Sequence, residues 1–252
     1  MSTAKTLAHL QGLGTLKAWS VVVTILGDLC QAETDRISGR LLDRLVGPMG
    51  ISNQTLRVAL HRLRRDGWVI SEKSGRSSNY GLSAPGWAMT VAARPVIYPA
   101  PGAEADPVNV VIAPPGLSAA DFAESLPDEA VQLSARSALA PGEEFGDEAL
   151  VVPFAAEKLP DWVAAQIAPA ALCAEYAALA RAVPQSGWPE AMIEAVTLRL
   201  LILHQWRRLR LRHGPLPDQL LPHWDGALAR TRVMTALSAL PRPTLVELEG
   251  AA

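Results

Sequence analysis

The sequence predicts an α+β protein, and three observations carry that expectation. Proline and glycine clusters cut the chain of 252 residues into stretches of different character. The first two stretches mix helix-type spacing with short β-branched runs, whereas the chain from Pro160 onward is rich in alanine and leucine at helical intervals. Hydrophobic residues make up 49% and charged residues 19%, a balance that fills a core and excludes a chain disordered throughout.

Near the start, Val21–Gly27 is the longest apolar run. It is too short to cross a bilayer and ends at Asp28. The segment before it carries Lys5, His9 and Lys17 but no small-residue cleavage site after an apolar core, so the expectation is a cytoplasmic protein without a membrane span. Cys30 and Cys173 are too few for a disulfide framework or a cysteine zinc site and read as buried or partly buried thiols in a reducing compartment.

Next, Leu41, Leu42, Leu45 and Val46 form one apolar helix face, which Gly47-Pro48-Met49-Gly50 interrupts. Ser52 then starts a second helix as its N-cap. At about 100° per residue, Leu56, Ala59, Leu60 and Leu63 share one side of it. Gln54, Arg57, Val58, His61 and Arg65 take the opposite arc, flanked by Arg62 and Arg64. Trp68-Val69-Ile70 reads as a strand, Glu72–Ser78 as a turn carrying Lys73, Gly75, Arg76, Ser77 and Ser78, and Asn79–Leu82 as the returning strand. The order helix, turn, basic helix, strand, basic hairpin, strand is that of a winged helix-turn-helix.

Net charge gives independent support. The whole chain is −2, but Arg36–Arg94 holds ten basic and three acidic residues and the remainder is −9. A basic module joined to an acidic body follows. A charged helix face is often only a solvated one; here the row of long donors opposite a leucine face suits a helix lying in the major groove of double-stranded DNA, with a hairpin tip that can follow the phosphates or enter a minor groove.

Pro95, Pro99, Pro101 and Pro107 around Gly102, Glu104 and Asp106 read as a linker. After it come a strand at Val108–Ala113, a helix capped by Ser118 with Asp121 and running to about Ser125, one or two strands in Ala130–Leu139 and another at Ala149–Phe154. This is a small unit of β-α-β-β type. Helices follow at Leu159–Ile167, Ala170–Val183, Glu190–Arg212 and Gly226–Leu240. The expected division is 1–94 for the basic module, 95–107 for the linker, 108–168 for the small α+β unit and 169–252 for a helical domain.

Several of these stretches resemble the PaaX family of phenylacetate-degradation transcriptional repressors and their relatives. They are Thr24–Leu29, Ile51–Trp68 and Gly75–Gly86, with Arg199–Leu211 and Pro215–Gly226 resembling the family's carboxy-terminal signature. The resemblance implies a winged-helix first domain, a ferredoxin-like middle domain, a helical last domain and a homodimer. It also implies repression at a DNA operator, relieved by an aryl-acetyl-coenzyme A thioester, within phenylacetic acid catabolism. It carries DNA contact to Asn53, Thr55, Arg57, His61, Arg62, Arg65, Arg76 and Ser77, to which the residue pattern adds Gln54 and Lys73.

For the effector, Trp206, Arg207 and Arg208 on the carboxy-terminal arginine-rich helix can be read as a stacking and anion-binding group. The same arginines also fit simple capping at a helix end. The apolar helix around Trp19–Leu26 and the carboxy-terminal helices both offer surface for pairing. Trp19, Trp68, Trp87, Trp162, Trp188 and Trp224 read as core or interface anchors. No catalytic motif, metal motif or cofactor-binding loop stands out: His204, His213 and His223 are spaced too widely for a metal motif, and there is neither HExxH nor GxSxG. Beside the leading reading, a regulator released by an acyl-coenzyme A, stand a non-specific architectural DNA-binding protein and a thioester-acting enzyme carrying a winged helix.

Overall fold

The computed structural model describes residues 3–74, 77–99, 106–146, 148–155 and 158–251. Two compact units share the chain. The first combines Met1–Pro99 with Ala178–Arg208 and Arg230–Ala252; the second combines Ala100–Ala177 with Leu209–Ala229. The contacts thus divide the carboxy-terminal helices between both units, where the sequence suggested a separate helical domain over 169–252.

In the first unit, helices α1 (Thr3–Gln11) and α2 (Ala18–Leu29) precede a short strand β1 (Ile37–Ser38). Helix α3 (Gly39–Val46), a 3-10 turn (Gly47–Met49), helix α4 (Asn53–Arg65) and the hairpin β2 (Val69–Ser74) and β3 (Ser77–Leu82) follow. Gly50 closes the turn at φ +79°, a left-handed conformation that a side chain would strain. The three strands form an antiparallel sheet in the order β1-β3-β2. The hairpin strands reach further towards the tip than the sequence suggested, with Lys73 opposite Ser78.

Helix α5 (Ala84–Ile97) leaves the hairpin directly. A Cβ on Gly86 would run into the Trp68 carbonyl, so glycine lets the helix start pack against the base of β2. The helix passes through Pro95, which corrects the expected linker start. Proline forfeits one backbone bond near a helix end, and the Tyr98 N–H still closes the last turn onto Arg94 O at 2.8 Å. Residues 100–105 of that linker lie outside the described residues.

Around this layer pack the late helices α9 (Met192–Arg210), α11 (Asp225–Ala239) and α12 (Leu245–Gly250), the first two shared in part with the second unit. Val21, Val22, Ile25 and Leu26 of α2 and Leu200, Leu201, Ile202 and Leu203 of α9 are buried. These surfaces are used up inside the protein, which removes α2 and α9 as the faces expected to pair two copies.

The second unit holds a four-stranded antiparallel sheet, β5 (Val131–Ser134), β6 (Ser137–Pro141), β4 (Val108–Ile112) and β7 (Leu150–Pro153), in that spatial order. Helix α6 (Ala119–Ser125) links β4 to β5; Ser118 Oγ accepts from the Asp121 N–H at 3.1 Å, as the cap pattern predicts. Phe122 of α6 packs on Val111, Ala138 and Ala140. Leu139 packs with Val163 and Ile167 of α7 (Asp161–Ile167) and with Leu216 of α10 (Leu216–Leu220). A ferredoxin-like βαββαβ unit would place a second helix between β6 and β7. Among the described residues that connection has none, since Pro141, Gly142 and Gly146 interrupt it. Helix α8 (Ala170–Ala182) completes the fold. Trp162 is 56% exposed, so it is not a core anchor, whereas Trp224 is buried against Tyr176 with ring centroids 4.9 Å apart.

Candidate nucleic-acid interface

Helix α4 is positioned from three sides. Ser52 Oγ caps it by accepting the Thr55 N–H at 3.2 Å. Asn53 Nδ2 donates to Asp43 Oδ1 of α3 at 2.9 Å, fixing the second helix against the first. Leu56, Ala59, Leu60 and Leu63 are buried, and α2 packs against the helix. This side carries the hydrophobic free energy, roughly 1.5–3 kcal/mol for each fully buried leucine.

The other side is open. Asn53, Gln54, Thr55, Arg57, Val58, His61, Arg62, Arg64 and Arg65 are all exposed, as the spacing predicts. Arg62 and Arg65 share Asp66 at 3.4 and 3.1 Å, and Arg62 also sits 5.8 Å from the Trp19 ring. Among the described residues, Arg57 and Arg64 have no ion-pair partner. A surface of arginines with one acidic neighbour attracts polyanions and leaves donors for phosphates and base edges.

His61, Arg64 and Arg65 line one wall of a hollow of about 490 Å³ whose other wall is Val69, Ile70 and Ser71 of β2. On the hairpin, Glu72 is paired with Arg36 at 2.8 Å, while Lys73 is exposed beside it. Thus α4 and the β2 edge bring Arg57, His61, Arg64, Arg65 and Lys73 onto one unit. Asn53 sits at the helix start, tied to α3. Arg76 lies outside the described residues, and of Ser77 only the strand position is described.

Trp206, Arg207 and Arg208 do not form an open ligand surface. Trp206 is 1% exposed and its Nε1 donates to Ile97 O at 2.8 Å. Arg208 donates to Gln205 Oε1 and Leu13 O, and Arg207 reaches Ser20 Oγ at 3.4 Å. The helix bearing them is threaded through the first unit, so its polar heads serve backbone and side-chain acceptors there.

Sequence reasoning missed a buried polar centre behind the interface. Asp28, at the end of α2, accepts Arg199 Nε and Nη2 at 2.7 and 2.9 Å, Tyr98 Oη at 2.7 Å and Arg242 Nη2 at 3.1 Å. Burial alone would raise its pKa, but the Arg199 hydrogen bonds and charge, with Arg242, hold it below the usual carboxylate range. Nearby, His204 Nδ1 lies 3.1 Å from Thr24 Oγ1. Burial, then the Arg207 and Arg208 charges, push its pKa down to about 4. Cys30 and Cys173 are free, and burial pushes the Cys30 thiol up to about 12.

A second missed feature is the attachment of α12 to α3. Glu249 accepts the Ser38 N–H and Oγ–H, both at 2.8 Å, while Ser38 Oγ itself caps α3 by accepting from the Leu41 N–H. Arg44 donates to Ala251 O. Only the Ser38 cap could have been suspected from the sequence.

Fold and site together define an α+β protein with an exposed basic helix held on a buried leucine face. Two family patterns match the chain, "PaaX-like protein" over residues 17–86 and "PaaX-like protein C-terminal domain" over residues 164–244. The chain belongs to the PaaX family. Among its relatives is the transcriptional repressor PaaX of Escherichia coli K12, 27% identical over 246 residues, covering 84% of this chain and 76% of the relative. An uncharacterized protein from Mycobacterium tuberculosis shares the fold, with a TM-score of 0.56 at 16% identity, covering 94% of this chain and 99% of that one.

Proposed function

We propose that this protein is a sequence-specific DNA-binding transcriptional regulator acting as a repressor in the cytoplasm. In this reading α3, the turn, α4 and the β2–β3 hairpin form a winged helix-turn-helix. Helix α4 enters the major groove, and the hairpin follows the phosphates with Lys73, Arg76 and Ser77. The observation that carries it is the division of α4 into a buried leucine side and an outward side bearing four arginines, a histidine and no acidic residue. The relative's name, a transcriptional repressor, points the same way.

The reading includes a homodimer, because one such module spans only a few base pairs and a second copy doubles the interface. With α2 and α9 buried, α5 offers pairing surface instead: Met89, Val91 and Val96 are exposed on it. It also includes release by an aryl- or acyl-coenzyme A thioester. With Trp206 in the core, an opening that suits the acyl part is a cleft of about 420 Å³ walled by Met192, Val196, Leu240 and Pro243, with Arg242 on its lining.

Binding of purified full-length protein to its own upstream region and to random duplex at one salt concentration tests the proposal. A preference of at least ~10³ is expected. Equal binding to both would favour an architectural role, and turnover of an acyl-coenzyme A would favour an enzyme.

A further inference from the structure

On the outward arc of α4, Val58 differs in kind from its neighbours. Measured from the direction opposite Leu56, Ala59, Leu60 and Leu63, the residues Gln54, Val58, His61 and Arg65 lie within about 30° of the centre of the exposed arc. Three of the four carry hydrogen-bonding groups. The fourth is a valine with 65% of its surface exposed, one turn after Gln54 and one turn before His61.

A lone exposed apolar residue is ordinary on a protein surface. What matters is its place. Valine brings no advantage to helix formation, since alanine or a long polar residue would serve better there. Its β-branched side chain has one strongly preferred rotamer in a helix, so it holds two methyl groups at a set height above the helix. The helix below it is fixed by four buried side chains and a capped start. Among the base edges of a major groove, the apolar group is the C5 methyl of thymine.

We propose that Val58 is a specificity-determining residue that packs on the C5 methyl of a thymine, beside the bases met by Gln54 and His61. This rests on the DNA-reading role of α4 proposed above. The contact removes the valine methyls and the thymine methyl from water together, and it selects thymine over cytosine at that position because cytosine has no methyl there.

The test uses full-length protein and sites it enriches from a random duplex pool. Each thymine of an enriched site is replaced in turn by deoxyuridine, which lacks only the C5 methyl. The wild type is expected to lose roughly fourfold in affinity at one position or a symmetry-related pair, the worth of about one buried methyl or methylene group. Val58→Ala, which keeps or improves helix propensity, should bind the parent site more weakly and be indifferent to that uridine. Arg57→Ala should bind more weakly yet keep the uridine effect. A wild type insensitive to every uridine, or a Val58→Ala protein with the wild-type uridine response, overturns the assignment of Val58 while leaving DNA reading intact. A pool from which nothing is enriched overturns the sequence-specific reading itself.

Discussion

Asp28 and Arg199, 171 positions apart, meet as a two-pronged ion pair of 2.7 and 2.9 Å in the interior of the first unit. The remaining guanidinium nitrogen of Arg199 donates to Leu237 O and Leu240 O at the end of α11. One side chain therefore ties α2, α9 and α11 together. Desolvating two charges is expensive, and this pair meets that cost only because nearly every lone pair and N–H finds a partner.

Removing one member should therefore hurt more than the pair contributes. Asp28→Ala leaves Arg199 buried without its counter-ion, and a loss of about 3–5 kcal/mol is expected. Arg242→Ala should cost less, because that side chain is 29% exposed and keeps access to water. Urea unfolding of the three proteins at pH 7 checks the order.

Arg57 is exposed and, among the described residues, has no ion-pair partner, so Arg57→Ala should leave unfolding unchanged. If it contacts a guanine edge, specific binding weakens by about 1–3 kcal/mol while random duplex is little affected. Equal loss on both would make Arg57 a phosphate contact.

Lys73 should behave in the second way. Its replacement by alanine is expected to weaken binding on all sequences and to reduce the slope of log K against log salt by ~0.9. An unchanged slope with unchanged affinity takes the hairpin edge out of the interface.

His204 makes stability pH-dependent. Its pKa is about 4 in the fold against 6.5 in the unfolded chain. Between those values the unfolded chain binds the proton and the folded one does not. Stability is thus fully present above pH 6.5 and falls by about 3 kcal/mol as the pH drops to 4. His213, also pushed down mainly by burial, adds to the fall below 6.5. In His204→Gln the slope of unfolding free energy between pH 6.5 and 4 should flatten; a wild-type slope would show that another group titrates.

What could be read from the sequence was local. Ser52 and the spacing of Leu56, Ala59, Leu60 and Leu63 set out α4 and its outward arc, because cap and face lie within one helix. Ser118 and Asp121 did the same for α6. Asp28 was legible only as the end of an apolar run, since its partners Tyr98, Arg199 and Arg242 come from three distant segments. The arginine cluster around Trp206 misled for a related reason. A charged helix end looks open in one dimension, yet Arg208 donates to Gln205 one turn back on its own helix and to Leu13 O, which the segment after α1 brings in. The short α12 gives too little periodicity to register, and its attachment to Ser38 is a purely tertiary event.

The wiring of Asp28 also sets a schedule for synthesis. Amino-terminal segments emerge from the ribosome first, and α2, α3 and α4 are among them. Yet Asp28 has neither counter-ion until codon 199 has been translated and lacks the second until codon 242; Ser38 waits for Glu249. A nascent chain halted at the hairpin would carry the basic helix without the groups that neutralise its buried carboxylate or cover α3. A chain cut short by a stop codon before 199 would lack Arg199, Arg242 and Glu249 together, leaving Asp28 without a counter-ion and α3 without its tie to α12.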